Sequence, residues 1–190
     1  TWLRRQRQMC IRDRFNSKGR NIFMKIFLVG PMGSGKSKIG KLLSSKLNFN
    51  LIDIDREIEA KFKKTIVDIF AMEGEESFRK KEISVLTEIN QIDEAVVSTG
   101  GGIIEASVNR DLLKKEKYVV FLNASVESQF QATKDKTKRP LLNNDNPRQV
   151  LESLYERRLE LYKSVSNLEL SPDLLSNEDI VKKIINFLNV

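Results

Sequence analysis

The sequence contains no histidine and only one cysteine, Cys10. Without histidine the chain has neither an imidazole general base nor a histidine ligand for a metal ion. A lone cysteine cannot form a disulfide within the chain or build a cysteine cluster around a metal. The sequence also has no apolar run of about 20 residues, the length that a transmembrane helix needs, so we expect no membrane partner. Any chemistry therefore falls to carboxylates, lysines, arginines and hydroxyls.

The chain has little excess charge once its first 23 residues are set aside. Its formal net charge is +7, from 33 basic and 26 acidic residues. Residues 1–23 hold seven of those basic residues and one of the acidic ones, which leaves 26 basic and 25 acidic residues in the rest. We expect no nucleic-acid partner, because binding to the phosphate backbone requires clustered positive charge.

Residues 1–23 show neither strand nor helix periodicity and lead to Met24. Three interpretations are open: a basic arm for nucleic acid or membrane, an arginine-rich transit peptide, or sequence that is not native to the protein. We favour the last, because Met9–Arg14 corresponds to codons that resemble a transposon-end adapter of sequencing libraries. We therefore expect a disordered, non-native leader over residues 1–23 and a single domain over residues 24–190.

The most specific motif is Gly-Pro-Met-Gly-Ser-Gly-Lys-Ser at residues 30–37, which fits the phosphate-binding P-loop pattern in every required position. An apolar run that predicts a buried strand precedes it, and apolar residues at helical spacing follow it. Glycines let backbone N–H groups approach phosphate oxygens, and the helix N-terminus adds a partial positive charge. Lys36 supplies a full charge near the outer phosphates, and the Ser37 hydroxyl is a ligand for Mg²⁺.

Strand and helix patterns alternate along residues 24–190, which predicts an α/β protein with a five-stranded parallel sheet and helices on both faces. Combined with the P-loop, this is the three-layer P-loop NTPase fold. Residues 134–146 are polar, charged and rich in turn formers. Such a segment is unsuited to a core connection, so we predict a mobile lid over about residues 131–146.

Two carboxylates, Asp53 and Asp55, end the predicted second strand, residues 49–55. On a strand this spacing places both side chains on one face, at the sheet edge where ligands bind. One carboxylate could then hold Mg²⁺ by way of water, and the other could bind a substrate hydroxyl. The alternative is a pair of solvated carboxylates, with Asp55 as the N-cap of the next helix.

Three further features have both a functional and a structural interpretation. Gly100–Gly102 indicates either close approach of the backbone to a ligand or a tight turn. Arg79, with Glu82 on the same helix face, could bind a carboxylate through two parallel hydrogen bonds. Arg158 lies in the cluster Glu156-Arg157-Arg158, and Arg139 in the predicted lid could close on a γ-phosphate. Each arginine is alternatively an exposed surface residue.

Taken in order, these residues resemble the shikimate kinases, a family of small P-loop phosphotransferases. The resemblance implies transfer of the γ-phosphoryl group of ATP to the 3-hydroxyl of shikimate, on the route to aromatic amino acids. It implies ATP and shikimate as partners, and we expect a cytoplasmic monomer. The resemblance extends along nearly all of residues 24–190 and rests on Asp53-x-Asp55, Gly74-Glu75, Phe78-Arg79, Glu82, Gly100–Gly102, Arg139-Pro140-Leu141-Leu142, Arg158 and Leu161-Tyr162.

The resemblance also implies roles for individual residues. Where the family often carries an arginine against adenine, this chain has Gln131 and Ala132. The implied catalytic residues are Lys36, Asp55 and Arg139, and the implied Mg²⁺ ligands are Ser37 and Asp53. The implied nucleotide-binding residues are Gly33, Ser34, Gly35, Lys36, Ser37, Lys38 and Arg139. The implied shikimate-binding residues are Asp55, Phe70, Phe78, Arg79, Gly100, Gly101, Gly102 and Arg158.

Two alternative functions stay open at this point. One is another P-loop small-molecule kinase, such as gluconate kinase, because gluconate is also a carboxylate. The other is an ATP-binding module without catalytic activity. The intact Lys36, Ser37 and Asp55 favour an enzyme, because phosphoryl transfer depends on positioning and charge stabilisation by such groups.

Overall fold

The structure is a computed structural model that describes residues 24–89, 91–133, 142 and 146–189. Within these residues it forms five strands and seven helices. The strands are β1 Met24–Val29, β2 Asn50–Asp53, β3 Glu94–Ser98, β4 Val119–Leu122 and β5 Leu168–Leu170. The helices are α1 Lys36–Leu47, α2 Ile54–Phe62, α3 Ile66–Ile89, α4 Ser107–Leu113, α5 Val126–Ala132, α6 Pro147–Val165 and α7 Asn177–Leu188.

Three predictions concern residues outside the described part of the chain. These are the leader at residues 1–23, most of the predicted lid, and Arg139 within that lid. Residues 131 and 132, the first two of the predicted lid, are the last two residues of α5. At the other end of the lid, the Asn146 side chain accepts a hydrogen bond from the Gln149 amide at 3.4 Å and so caps α6.

The five strands form one parallel sheet in the order β2-β3-β1-β4-β5. All four residues of β4 are buried, as are five of the six in β1. Continuous apolar strands of this kind are typical of a parallel sheet that is covered on both faces. The predicted α/β fold with a five-stranded parallel sheet is confirmed.

The strands contribute alternate side chains to two separate cores, one on each face of the sheet. In β1, Ile26 and Leu28 pack in the core that contains the apolar residues of α1 and α7. Phe27 and Val29 point the other way, into the core that α2, α3 and α6 cover. The period of two along the strand is what a pleated backbone requires. No helix among the described residues is both long and apolar enough to cross a membrane.

The order of the strands brings three sequence motifs to one edge of the sheet. The strands β2, β3 and β1 are neighbours, and all three run in the same direction. The P-loop follows β1, Asp53 ends β2, and the glycine run Gly100–Gly102 follows β3. The carboxyl edge of a parallel sheet is where such folds bind ligands, so the three motifs lie where a ligand would bind.

Candidate active site

The P-loop conformation depends on glycine at three positions. Gly30, Gly33 and Gly35 have φ angles of 148°, 80° and 85°, which residues with side chains rarely adopt. At Gly30 a Cβ atom would also lie 2.6 Å from the carbonyl oxygen of Leu122 in β4. The loop therefore folds back closely over the sheet edge before α1 begins at Lys36.

Lys36 is the first residue of α1 and is 8% exposed. Its Nζ atom donates hydrogen bonds to the carbonyl oxygens of Gly30 and Pro31, both at 2.7 Å, and to Ser34 Oγ at 3.3 Å. These contacts fix a positive charge inside the loop. A charge at the N-terminus of a helix reinforces the attraction of that terminus for anions.

Ser37, Asp53 and Ser98 form a cluster of oxygen atoms beside the loop. The Ser37 hydroxyl donates to Asp53 Oδ2 at 2.9 Å, and its oxygen lies 3.3 Å from Ser98 Oγ. A hydroxyl and a carboxylate this close match the preference of Mg²⁺ for hard oxygen ligands. Among the described residues no group of three or more carboxylate, histidine or cysteine side chains could enclose a metal ion. An ion here would therefore take its other ligands from water or phosphate.

A cavity of about 310 Å³ opens between the P-loop, the end of β2 and the glycine run. Its wall contains two lysines and two aspartates, so positive and negative side chains lie together around one small volume. The residues lining it are Met32, Gly33, Gly35, Lys36, Ser37, Lys38, Asp53, Asp55, Thr99, Gly101 and Ala132.

The prediction that Asp53 and Asp55 share one face of a strand is wrong. The strand ends at Asp53, and α2 begins at Ile54. The reason is a helix cap, since the Asp53 side chain accepts a hydrogen bond from the Arg56 amide and satisfies a donor in the first turn. Asp55 therefore lies in the first turn of α2. Both carboxylates nevertheless line the cavity, as expected.

Arg79 is held by two glutamates of its own helix. Its NH1 donates to Glu82 Oε2 at 2.9 Å and its NH2 to Glu75 Oε1 at 2.8 Å, and the Arg79 side chain is 14% exposed. Glu82 is fully buried. Burial raises the pKa of Glu82 to about 7, although Arg79 acts in the opposite direction. The helix kinks at Gly74, whose φ is 81°.

The glycine run allows the backbone to approach these side chains closely. At Gly100 a Cβ atom would lie 2.9 Å from both Asp55 Oδ1 and Glu82 Oε1. At Gly102 it would overlap the guanidinium group of Arg79. At Gly101 it would lie 3.1 Å from the backbone nitrogen of Met32 in the P-loop. One short segment therefore contacts the P-loop on one side and the arginine on the other.

Arg158 is buried in the middle of α6, with 3% of its side chain exposed. It shares the buried stripe of that helix with Leu151, Tyr162 and Val165. Its Nε donates to Glu105 Oε1 at 2.6 Å, and its NH2 lies 2.5 Å from the same oxygen. Burying a charge is costly unless a partner compensates it. An arginine that served only solubility would lie at the surface, so the burial of Arg158 indicates another role.

Three aromatic side chains complete this side of the site. Phe70 and Phe78 pack with their ring centroids 4.9 Å apart. Tyr162 is fully buried, stacks on Phe121 at 5.0 Å, and donates its hydroxyl hydrogen to the carbonyl oxygen of Gly101. Burial raises the pKa of this hydroxyl, so Tyr162 remains a neutral donor.

Comparison with known proteins assigns this arrangement to a family. The family model described as shikimate kinase matches residues 32–189, most of the chain. The chain belongs to the shikimate kinase family. The kinases of this family use ATP, so the chain is an ATP-dependent phosphotransferase, a reaction class that generally needs a divalent metal ion.

Individual shikimate kinases resemble the chain over most of its length. The shikimate kinase of Hahella chejuensis is 42% identical over 163 residues, which is 86% of this chain and 85% of that protein. The shikimate kinase of Histophilus somni is 45% identical over 165 residues, 86% of this chain and 94% of that protein. A solved shikimate kinase from Acinetobacter baumannii, in complex with shikimate, has a TM-score of 0.86 and 39% identity, covering 91% of this chain and 97% of that one.

The structure brings most of the residues implied by the shikimate kinase resemblance to one edge of the sheet. Gly33 and Gly35 line the cavity, as do Lys36, Lys38, Ser37 and the two aspartates, while Ser34 of the P-loop is buried. Arg79, Gly100 and Gly102 are connected to Asp55 through the contacts given above, and Cζ of Arg79 lies 5.3 Å from the ring centroid of Phe78. Arg158 approaches from α6, and Arg139 lies outside the described residues.

Four polar residues of this shikimate kinase site were not predicted as site residues. Ser98 and Thr99 are buried polar residues at the end of an apolar strand, a pattern that could have drawn attention to them. Glu75 is one helical turn before Arg79, so its pairing was detectable from spacing. Glu105 carries no comparable signal, because its partners Arg157 and Arg158 are more than 50 residues away along the chain.

Proposed function

We propose that this chain transfers the γ-phosphoryl group of ATP to the 3-hydroxyl of shikimate, giving shikimate 3-phosphate and ADP on the route to aromatic amino acids. The observation that carries the proposal is the position of the glycine run. It lies against the P-loop at Gly101 and against Arg79 at Gly102. This position supports the proposal, because a loop that would bind the phosphates of the donor and an arginine that would bind the carboxylate of the acceptor lie on two sides of one segment.

On the donor side, the P-loop backbone and the Lys36 ammonium group would bind the phosphates of ATP. The full set that we propose for the nucleotide is Gly33, Ser34, Gly35, Lys36, Ser37, Lys38 and Arg139. Ser37 and Asp53 would hold Mg²⁺, which when bound neutralises charge on the phosphate oxygens. Arg139 would act from the lid, where its charge would stabilise the transferring group.

On the acceptor side, Asp55 would accept a hydrogen bond from the attacking hydroxyl and take up its proton. Arg79 and Arg158 would bind the carboxylate of shikimate through paired N–H donors, a geometry that suits guanidinium groups. The backbone of Gly100–Gly102 would lie against the ring substituents, and Phe70 and Phe78 would pack beside the ring. We also propose a monomer that acts in the cytoplasm.

The test is release of ADP by the full chain with Mg-ATP, measured with shikimate, with gluconate and without any acceptor. We expect release that depends on shikimate, with turnover of gluconate lower by at least about 10³-fold, because the sugar acid lacks the rigid ring that orients the hydroxyl.

Two other results would overturn the proposal. Preferred turnover of gluconate would assign a different acceptor. Binding of ATP with no acceptor-dependent ADP release would support an ATP-binding module without catalytic activity. The same assay tests the need for Mg²⁺. Removing the ion with a chelator should abolish ADP release, and adding Mg²⁺ back should restore that release.

A further inference from the structure

Glu105 connects two arginines of α6, Arg157 and Arg158, to the loop that follows the glycine run. Its Oε1 atom accepts hydrogen bonds from Arg157 NH2 and from Arg158 Nε, both at 2.6 Å. The same oxygen lies 2.5 Å from Arg158 NH2. Nε and NH2 form one edge of the Arg158 guanidinium group, so a single carboxylate oxygen lies against that edge.

The three side chains differ in exposure. The side chain of Arg158 is 3% exposed, that of Glu105 is 23% exposed and that of Arg157 is 59% exposed. A guanidinium group as buried as Arg158 depends on a counter-ion, because an uncompensated charge is costly away from water. Arg157 is the outer partner, and it binds the same oxygen from the solvent side.

The backbone around Glu105 is itself fixed. The Glu105 amide donates to the carbonyl oxygen of Gly102 at 3.0 Å. Arg110 NH1 donates to the carbonyl oxygens of Glu105 and Ile104, both at 2.7 Å. The carboxylate of Glu105 therefore stands on a short loop that begins at Gly102, the residue in contact with Arg79.

Glu105 is also ionised when it acts. Burial alone would raise the pKa of its carboxyl group, but Arg158 and Arg157 outweigh that effect and the pKa is lowered. The same charge interacts with Arg79, so both arginines of the acceptor side are within its field.

We propose that Glu105 is a positioning residue for recognition of the acceptor carboxylate, which orients Arg158 as Glu82 orients Arg79. Carboxylates then fix both guanidinium groups of the acceptor side before the acceptor arrives. The inference rests on the proposed function, since it concerns how the same site selects a carboxylate. Preorganised donors bind an anion better because less freedom is lost on binding.

The sign of the effect separates this role from simple electrostatics. Removing the negative charge of Glu105 makes the site more positive, which by itself would attract an anionic acceptor more strongly. If Glu105 positions Arg158, its removal weakens binding despite the added positive potential. The two effects therefore predict opposite changes in the KM for shikimate.

The experiment compares the wild-type full chain with Glu105→Ala, Glu105→Gln and Glu152→Ala. We expect Glu105→Ala to raise the KM for shikimate about tenfold, with kcat changed less than about threefold and the KM for ATP unchanged. Glu105→Gln keeps an oxygen acceptor but removes the charge, so its KM for shikimate should lie between those of the wild type and Glu105→Ala. This variant also replaces Glu105→Ala in the comparison if the alanine variant does not fold. Glu152 pairs with Arg148 at the exposed surface of α6, and its replacement should change nothing.

A second acceptor distinguishes positioning from general damage. Shikimate methyl ester has the same ring but no carboxylate. The preference of the enzyme for shikimate over the ester is measured as the ratio of the two kcat/KM values. This ratio should fall about tenfold in Glu105→Ala. Equal losses for both acceptors would make Glu105 a structural residue and overturn the inference. An unchanged or lower KM for shikimate would overturn it too. A wild-type chain without shikimate-dependent ADP release would instead refute the proposed function, before any variant is compared.

Discussion

The donor side and the acceptor side of the site are built in different ways. On the donor side, residues 30–38 are consecutive, and Lys36 is fixed by carbonyl oxygens of its own loop. On the acceptor side, Arg79, the loop from Gly102 to Glu105, and Arg158 come from three distant segments, and carboxylates fix the two arginines. The proposed phosphate site is thus encoded by local backbone conformation, whereas the proposed carboxylate site brings together segments that meet only when the chain is folded.

The two sides also differ in how they respond to pH. The contacts of Lys36 to backbone carbonyls contain no group that titrates near neutrality. The acceptor side contains Glu82, whose buried carboxyl has its pKa raised to about 7. We therefore expect the acceptor side, and not the P-loop, to introduce pH dependence around neutrality. The following predictions test this contrast, from the largest expected effect to the smallest.

Lys36→Ala should have the largest effect, because it removes the fixed charge on the donor side. We expect kcat to fall by about 10³-fold, equivalent to about 4 kcal/mol, while the fold survives. ADP release measures kcat, and the thermal unfolding midpoint shows whether the fold is kept. Lys41→Ala, an exposed lysine of the same helix, is the control. Wild-type turnover by the Lys36 variant would refute the P-loop assignment.

Glu82→Gln tests the pH dependence of the acceptor side. The pKa of Glu82 is about 7 in the folded protein against an ordinary value of 4.5, so its contribution to stability is complete below pH 4.5 and is lost as the pH rises toward 7. Relative to the glutamine variant, the wild type should therefore lose up to about 3 kcal/mol of unfolding free energy over that range.

Urea unfolding of the wild type and the Glu82→Gln variant between pH 4.5 and pH 8 measures this difference. The KM for shikimate gives a second readout. In the wild type it should fall as the pH rises through about 7, because ionised Glu82 orients Arg79, and the glutamine variant should lack that change. A stability difference that does not depend on pH would contradict the prediction.

Gly102→Ala tests the close contact between the glycine run and Arg79. The added methyl group would overlap the guanidinium group, which can move only by leaving its two glutamates. We expect the KM for shikimate to rise about 30-fold, or about 2 kcal/mol, with little change in stability or in the KM for ATP. Gly40→Ala in α1, where the new methyl group meets the movable side chain of Leu51, should leave both KM values unchanged.

Tyr162→Phe should have the smallest effect of the four. It removes the hydroxyl that donates to the carbonyl of Gly101 but keeps the ring stacked on Phe121. We expect a loss of about 1 kcal/mol in unfolding free energy and less than about a threefold change in turnover. Tyr155→Phe, which removes a hydroxyl bonded to Asn123, is the matched control. A larger loss of turnover than in Gly102→Ala would show that the position of Gly101 matters more than that of Arg79.

The residues of the donor side could be predicted from the sequence because their conformation is local. The glycines at positions 30, 33 and 35 have φ angles that few other residues adopt, and the spacing to Lys36 follows from the turn into α1. The apolar runs of β1 and β4 likewise predict buried strands wherever the rest of the chain lies. Hydrophobic periodicity and backbone sterics act over a few residues, so the sequence by itself determined the elements, the parallel sheet and the P-loop.

The tertiary structure alone decided the rest. The second strand ends two residues earlier than its pattern predicts, so Asp53 is a helix cap and Asp55 is a helical residue. Such boundaries depend on which backbone N–H groups of the next helix need a cap. Arg157 and Arg158 are adjacent and chemically identical, yet one is exposed and the other buried. Glu105 meets them across more than 50 residues of chain. Ion pairs between packed elements form through space, so neither the partner of Arg158 nor its burial is written in any short stretch of sequence.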